Sequence, residues 1–116
     1  MTHLEVKTEE RGKIRILHLK GFLDAHNHQI FRTSMNEMRS DGLAKVVVDF
    51  EQLTYIGSSG IEVILANVQA MRDKGGDIVL CGMSQKVFKV FDLLGLPSFF
   101  RIFDTADEAV ATFGNA

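Results

Sequence analysis

Two adjacent serines between two glycines, Gly57-Ser58-Ser59-Gly60, are the residues of this chain best placed to do chemistry. A hydroxyl in such a setting serves as a phosphate acceptor, a nucleophile or a helix cap. Glycine on both sides removes bulk, so a second molecule can approach the backbone closely. Ser59-Gly60-Ile61-Glu62 fits the capping box, in which the Ser59 hydroxyl accepts from the Glu62 N–H and the carboxylate returns a bond. That assigns Ser59 to the cap and leaves Ser58 just outside the helix, its hydroxyl unused. Free N–H groups and the positive end of a helix dipole favour negative charge at that point. The expected chemistry is a phosphate carried on Ser58. The plainer alternative makes both serines turn and cap residues only.

These serines need a strand before them and a helix after them. Lys45-Val46-Val47-Val48-Asp49-Phe50 is a β-branched run of the kind buried on both faces of a sheet. Ile61, Ile64, Leu65, Val68 and Met71 form one apolar helical stripe, and Gly75-Gly76 ends it. Asp77-Ile78-Val79-Leu80-Cys81 reads as the next buried strand. Strand, helix and strand at this spacing make a βαβ unit with a right-handed crossover.

The stretch Gln52-Leu53-Thr54-Tyr55-Ile56-Gly57-Ser58-Ser59-Gly60-Ile61 resembles the signature of the STAS-domain anti-sigma-factor antagonists. Gly21-Phe22-Leu23-Asp24 resembles the family's Gly-x-x-Asp before its first helix, and Phe91-Asp92-Leu93-Leu94-Gly95-Leu96 its late helix and glycine stop. The resemblance thus covers nearly the whole chain and implies a single STAS domain over residues 1–116. It implies that Ser58 is the serine phosphorylated by a partner anti-sigma factor that is also a kinase. Many phosphorylated members carry aspartate immediately before that serine, where this chain has Gly57.

Composition bounds the rest. A chain of 116 residues, 46% hydrophobic, is enough for one domain with one core. A net charge of −2 gives no electrostatic footprint for nucleic acid. No apolar run reaches membrane-span length and no signal-peptide pattern opens the chain, so the expected home is the cytoplasm. The single Cys81 cannot form an internal disulfide and is expected to act as a small buried hydrophobe.

Taken in order, alternating residues on either side of Arg11-Gly12 predict an antiparallel hairpin whose first strand is a charged edge. Leu17 and Leu19 give its second strand an apolar side on both faces. Asp24 stands at or near the cap of a first helix that buries Ile30, Phe31, Ser34, Met35 and Met38. His26 and His28 are two apart and share no helix face, and no third ligand stands nearby, so no metal site is expected. Ser84 should cap a third helix with Val87, Phe88, Phe91 and Leu94 inward. Phe99 to Phe103 reads as a short edge strand or extended segment, and Thr105-Ala106-Asp107-Glu108 as a capping box opening a last helix.

The sum is an α/β, STAS-like domain with a mixed sheet of four or five strands and about four helices. Its second, third and fourth strands should run parallel, which gathers Asp24, the Tyr55–Ser59 turn and the Gly82–Ser84 loop on one edge. The partner surface is therefore expected to comprise Asp24, Gly57, Ser58, Ser59, Gly60 and Ser84. Gly60 is expected to lie directly under the approaching partner.

Catalysis is disfavoured. Neither serine has glycine at both −2 and +2, so the nucleophile elbow is absent. All four histidines precede the serines, whereas that fold needs its histidine last. Neither the Walker nor the dinucleotide glycine pattern occurs. The resemblance implies instead a partner switch without cofactor. Unphosphorylated, it would bind an anti-sigma factor with serine-kinase activity and free a sigma factor; a serine phosphatase would reset it. The alternative is a STAS subunit of a lipid-transport assembly or a signalling scaffold, with a merely structural serine.

Overall fold

The computed structural model describes residues 3–114. Strands β1 (Leu4–Arg11) and β2 (Ile14–Leu23) form the opening hairpin and lead into helix α1 (His28–Ser40). There follow β3 (Lys45–Ile56), α2 (Ser58–Asp73), β4 (Asp77–Cys81), α3 (Gln85–Leu93), β5 (Ile102–Phe103) and α4 (Ala106–Ala111). The five strands stand in the order β1-β2-β3-β4-β5, antiparallel at the first pair and parallel thereafter. This is the mixed sheet with parallel β2, β3 and β4 that the sequence predicts. The charged β1 forms one edge, as expected. At the other, only Ile102–Phe103 of the Phe99–Phe103 stretch is strand, because Phe99 and Phe100 belong to a turn in which the Phe99 N–H donates to the Leu96 carbonyl at 2.8 Å.

Burial on both faces explains the apolar runs. Leu17 and Leu19 of β2 and Val46, Val48 and Phe50 of β3 pack beneath α1, α2 and α3. Ile14, Ile16, Val47, Val79 and Cys81 form a smaller cluster on the opposite face, covered by Ala109 of α4. A Phe50–Phe91 edge-to-face contact, with ring centroids 5.8 Å apart, docks α3 on β3.

Three helix faces differ from the sequence reading. Leu65 of α2 points outward, 40% exposed, while Val63 and Asn67 are buried. Asn67 tolerates burial because its Oδ1 accepts from Arg39 Nη1 at 3.1 Å and its Nδ2 donates to the Val63 carbonyl at 2.7 Å. In α3 Val87 and Phe91 are buried, with Val90 partly buried against the same core. Leu94 falls at the C-cap, past the last turn, and Phe88 lies at the flank; both are exposed. Ile30 of α1 is likewise exposed.

The register sets the height of each loop. β4 ends at Cys81 opposite Asp49, whereas β3 runs on to Ile56, paired with Leu23 at the end of β2. At about 3.3 Å per residue this overhang carries the end of β3 roughly 20 Å beyond the end of β4. Thr54 Oγ1 donates to the Gly21 carbonyl at 3.0 Å and steadies it.

Candidate phosphoacceptor site

The site is built where the overhang turns into α2. The Gly57 N–H donates to the Leu23 carbonyl at 2.8 Å, a last sheet-like bond that fixes the chain reversal there. Gly57 is then the N-cap residue, with extended φ −97° and ψ 175°, and its carbonyl accepts from the Gly60 N–H at 3.1 Å. Ser58 is the first helical residue and Ser59 the second.

The Ser59–Glu62 capping box is therefore overturned. A side-chain cap requires its residue to keep extended backbone geometry. With the reversal completed at Gly57, Ser59 is already helical, and α2 has no side-chain cap bond. Ser58, expected just outside the helix, is its first residue. Ser58 is exposed and Ser59 half-buried, and no hydrogen bond among the described residues engages either hydroxyl. The first N–H groups of a helix have no intrahelical acceptor, so the backbone at Ser58 and Ser59 presents donors outward.

Gly60 has a different reason to be glycine from the one expected. It is buried, and a Cβ there would stand 2.5 Å from Leu23 Cδ2 and 3.1 Å from Ile56 Cγ1. The missing side chain admits Leu23 from within the protein, so the α2 start sits close on the β2–β3 overhang. At Gly57, by contrast, an added Cβ would meet only ordinary contacts, 3.5 Å from the Tyr55 hydroxyl. Tyr55 itself is 46% exposed beside the turn.

Asp24 follows Leu23 and so lies on the loop bonded to Gly57. It is not the α1 cap: Asn27 occupies that position. Asp24 Oδ1 accepts from the His26 N–H at 2.9 Å. The buried Asn27 side chain turns back instead of capping, its Oδ1 accepting from the Asp24 N–H at 2.9 Å and its Nδ2 donating to the Phe22 carbonyl at 2.8 Å. Asn27 and Leu23 position the site and were not singled out from sequence. An Asn just before a helical run is a legible cap signal, but nothing local shows that its side chain points backward.

Ser84 caps α3 as expected, accepting from the Val87 N–H at 3.1 Å. Its loop leaves β4 at Gly82, whose hypothetical Cβ would lie 2.6 Å from Asp49 Oδ1, so the loop starts well below the Ile56–Ser58 turn. The structure thus brings the Asp24 and Ser58 loops together through the Gly57–Leu23 bond. Ser84 is set further back on the same edge, because β4 is short.

The other reactive groups are occupied. Burial, aided by nearby Asp49, pushes the Cys81 thiol up to about 12, which removes it as a nucleophile at neutral pH. His18 pairs in register with Asp49 in mid-sheet, away from the turn. His28 Nδ1 lies 3.1 Å from the Ala25 carbonyl. No group of three or more potential metal ligands assembles among the described residues. No described helix is long and apolar enough to cross a membrane.

Ser58 thus stands exposed and unengaged on the first turn of α2, at the end of the β2–β3 overhang of a small mixed sheet. The chain belongs to the STAS domain family, whose model matches residues 5–109. It is 28% identical over 109 residues to the anti-sigma F factor antagonist of Paenibacillus polymyxa, covering 93% of each chain. Its fold is similar to that of the anti-sigma factor antagonist SpoIIAA in its unphosphorylated form, with a TM-score of 0.84, 23% identity and 97% and 98% of the two chains covered. It is also similar to the Bacillus cell fate determinant SpoIIAA in the phosphorylated form, with a TM-score of 0.74, 23% identity and 94% and 99% covered.

Proposed function

We propose that this chain is an anti-sigma-factor antagonist acting as a phosphorylation-controlled partner switch, with Ser58 as the acceptor. The observation that carries the reading is the Ser58 hydroxyl, exposed and unengaged at the first position of α2. Relatives named as anti-sigma factor antagonists along nearly the whole chain support the same role. In this reading the unphosphorylated chain binds an anti-sigma factor that is also a serine kinase, through Asp24 and the Gly57–Gly60 turn, with Ser84 at the margin. The partner supplies ATP and magnesium and this chain only the hydroxyl. A serine phosphatase resets it, and the exchange takes place in the cytoplasm.

The charge explains both halves of the switch. A phosphate adds about −1.5 to −2 charge at neutral pH. The dipole and open N–H groups of α2 accommodate it within the domain. In a desolvated interface beside Asp24, the same charge costs several kcal/mol, enough for a hundredfold loss of affinity. Incubation with the cognate kinase and ATP, followed by mass spectrometry, tests the reading. Phosphate is expected on Ser58, Ser58→Ala should bind the kinase without being modified, and Ser58→Asp should bind poorly. Modification of Ser59 or Thr54 instead, or equal affinities for the two variants, would refute it.

A further inference from the structure

The sheet face opposite α1 and α2 plays no part in the Ser58 reading, yet it holds a polar arrangement spanning three strands. His18 on β2 has Nε2 2.8 Å from Glu9 Oε1 on β1 and Nδ1 2.8 Å from Asp49 Oδ2 on β3. A neutral imidazole carries one N–H and one lone pair, so it satisfies only one carboxylate. Two carboxylate oxygens at hydrogen-bond distance from the two ring nitrogens call for a donor on each, which is the imidazolium form. We propose that His18 is a proton-operated clasp, which ties the edge strand β1 to β3 when protonated and releases one of them when it loses its proton.

The surroundings bear on this from every packed element. On β1, Glu9 is also held by Arg11 Nε at 2.7 Å, and Lys7 lines the same shallow hollow as His18. Arg11 is drawn further to Asp107 of α4, at 2.6 Å. On β3, Glu51 joins Asp49 at the rim, and its backbone N–H donates to Asp49 Oδ1 at 3.0 Å. From β4 the Cys81 thiol lies 3.7 Å from the same oxygen. Glu9 and Asp49 thus contact the ring and Glu51 lines the same hollow, while Arg11 is bound to Glu9 and Lys7 is the β1 residue paired in register with His18. Burial pushes the imidazole down, but the hydrogen bonds and charges of Glu9 and Asp49 outweigh it and the net direction is upward. Glu9 is lowered in turn, first by His18 and then by Arg11.

The signs define a pH window. With a raised folded value, the His18 contribution is complete below the unfolded imidazole value of about 6.5 and is lost as pH rises through the folded one. With a lowered folded value, the Glu9 contribution is present above the ordinary carboxylate range and is lost as pH falls through its own. The clasp is therefore closed between the lowered Glu9 value and the raised His18 value and opens as pH rises through the latter. His18 is one-third exposed at its side chain, so solvent screens the effect.

Side-chain nitrogen NMR of the histidines across a pH series tests the clasp on the intact chain. Both His18 nitrogens should be protonated at pH 6.5, with a titration midpoint above the ordinary imidazole value of about 6.5. Glu9→Gln, on the edge strand, should lower that midpoint. Denaturant midpoints should fall more between pH 6 and pH 8.5 for the native chain than for His18→Gln or Glu9→Gln. A neutral single-tautomer ring at pH 6.5, a His18 midpoint at or below the ordinary imidazole value of about 6.5, or equal pH slopes for the native chain and Glu9→Gln would overturn the proposal.

Discussion

A Cβ placed on Gly60 falls 2.5 Å from Cδ2 of Leu23, a contact no real pair of carbons sustains. The turn that presents Ser58 is therefore seated on the end of β2 by a glycine. Gly60→Ala should destabilise the fold by about 1–3 kcal/mol through overpacking, and Gly60→Leu by more. Leu23→Ala alone should cost about 2–5 kcal/mol. The double variant Gly60→Ala/Leu23→Ala should cost less than the sum, since one change makes room for the other. Denaturant melts of the three variants decide it, and strict additivity would disprove the packing account.

Neither serine hydroxyl caps α2, so Ser58→Ala and Ser59→Ala should each change stability by no more than about 0.5 kcal/mol. Gly57→Asp, at a position with extended backbone geometry and room for a Cβ, should add a few tenths of a kcal/mol by supplying the missing cap. A loss near 1 kcal/mol at Ser59 alone would restore the capping box.

Ser58→Asp places a carboxylate in the first turn of α2, where the helix dipole favours it by about 0.3–1 kcal/mol. Its melting temperature should equal or slightly exceed that of the native chain. A clear drop, seen by calorimetry, would mean that charge at Ser58 damages the domain itself.

The buried Asp77 carboxylate is shared by Arg72, with Nε at 2.8 Å, and Arg101, with Nη2 at 3.0 Å. Arg72 also donates to the Phe99 carbonyl and Arg101 to Thr112, so one acid fastens α2, the segment before β5 and the C-terminal turn. Breaking a well-buried ion pair costs about 3–5 kcal/mol, but both arginines are partly exposed here. Asp77→Asn should therefore cost roughly 2 kcal/mol. The measurement is an equilibrium urea melt, and a change under 0.5 kcal/mol would contradict the fastening role.

Ser84 and Thr105 both cap their helices through the side chain, and Thr105 completes a capping box with Glu108. Ser84→Ala and Thr105→Ala should each cost about 1 kcal/mol. Together with the silent Ser59→Ala, this separates sequence motifs that fold into caps from one that does not.

Val46 to Val48 and Ile78 to Leu80 are runs that only a sheet covered on both faces can bury, and Gly75-Gly76 closes the intervening helix. The alternating β1 and β2 and the caps at Ser84 and Thr105 follow from residue type and spacing within a few positions of each other, and the parallel direction of β2, β3 and β4 from the helices between them. These are short-range properties: hydrogen-bonding capacity, side-chain volume and period. The choice of Ser58 over Ser59 does not follow from them, because it leaned on a cap at Ser59 that the structure lacks and on the family resemblance.

What the tertiary structure decided depends on contacts between distant residues. The Gly57–Leu23 hydrogen bond ends β3 at Ile56 and starts α2 at Ser58, overriding a capping signal that reads well locally at Ser59. Leu23 occupies the space over Gly60, converting a glycine that looks like an open approach into a packing contact. The overhang of β2 and β3 beyond β4 sets Ser84 below Ser58, although all three strands point the same way. His18, Glu9 and Asp49 sit on three strands and meet only through the register. Spacing along the chain fixes which atoms a residue offers, while register and packing fix which of them meet.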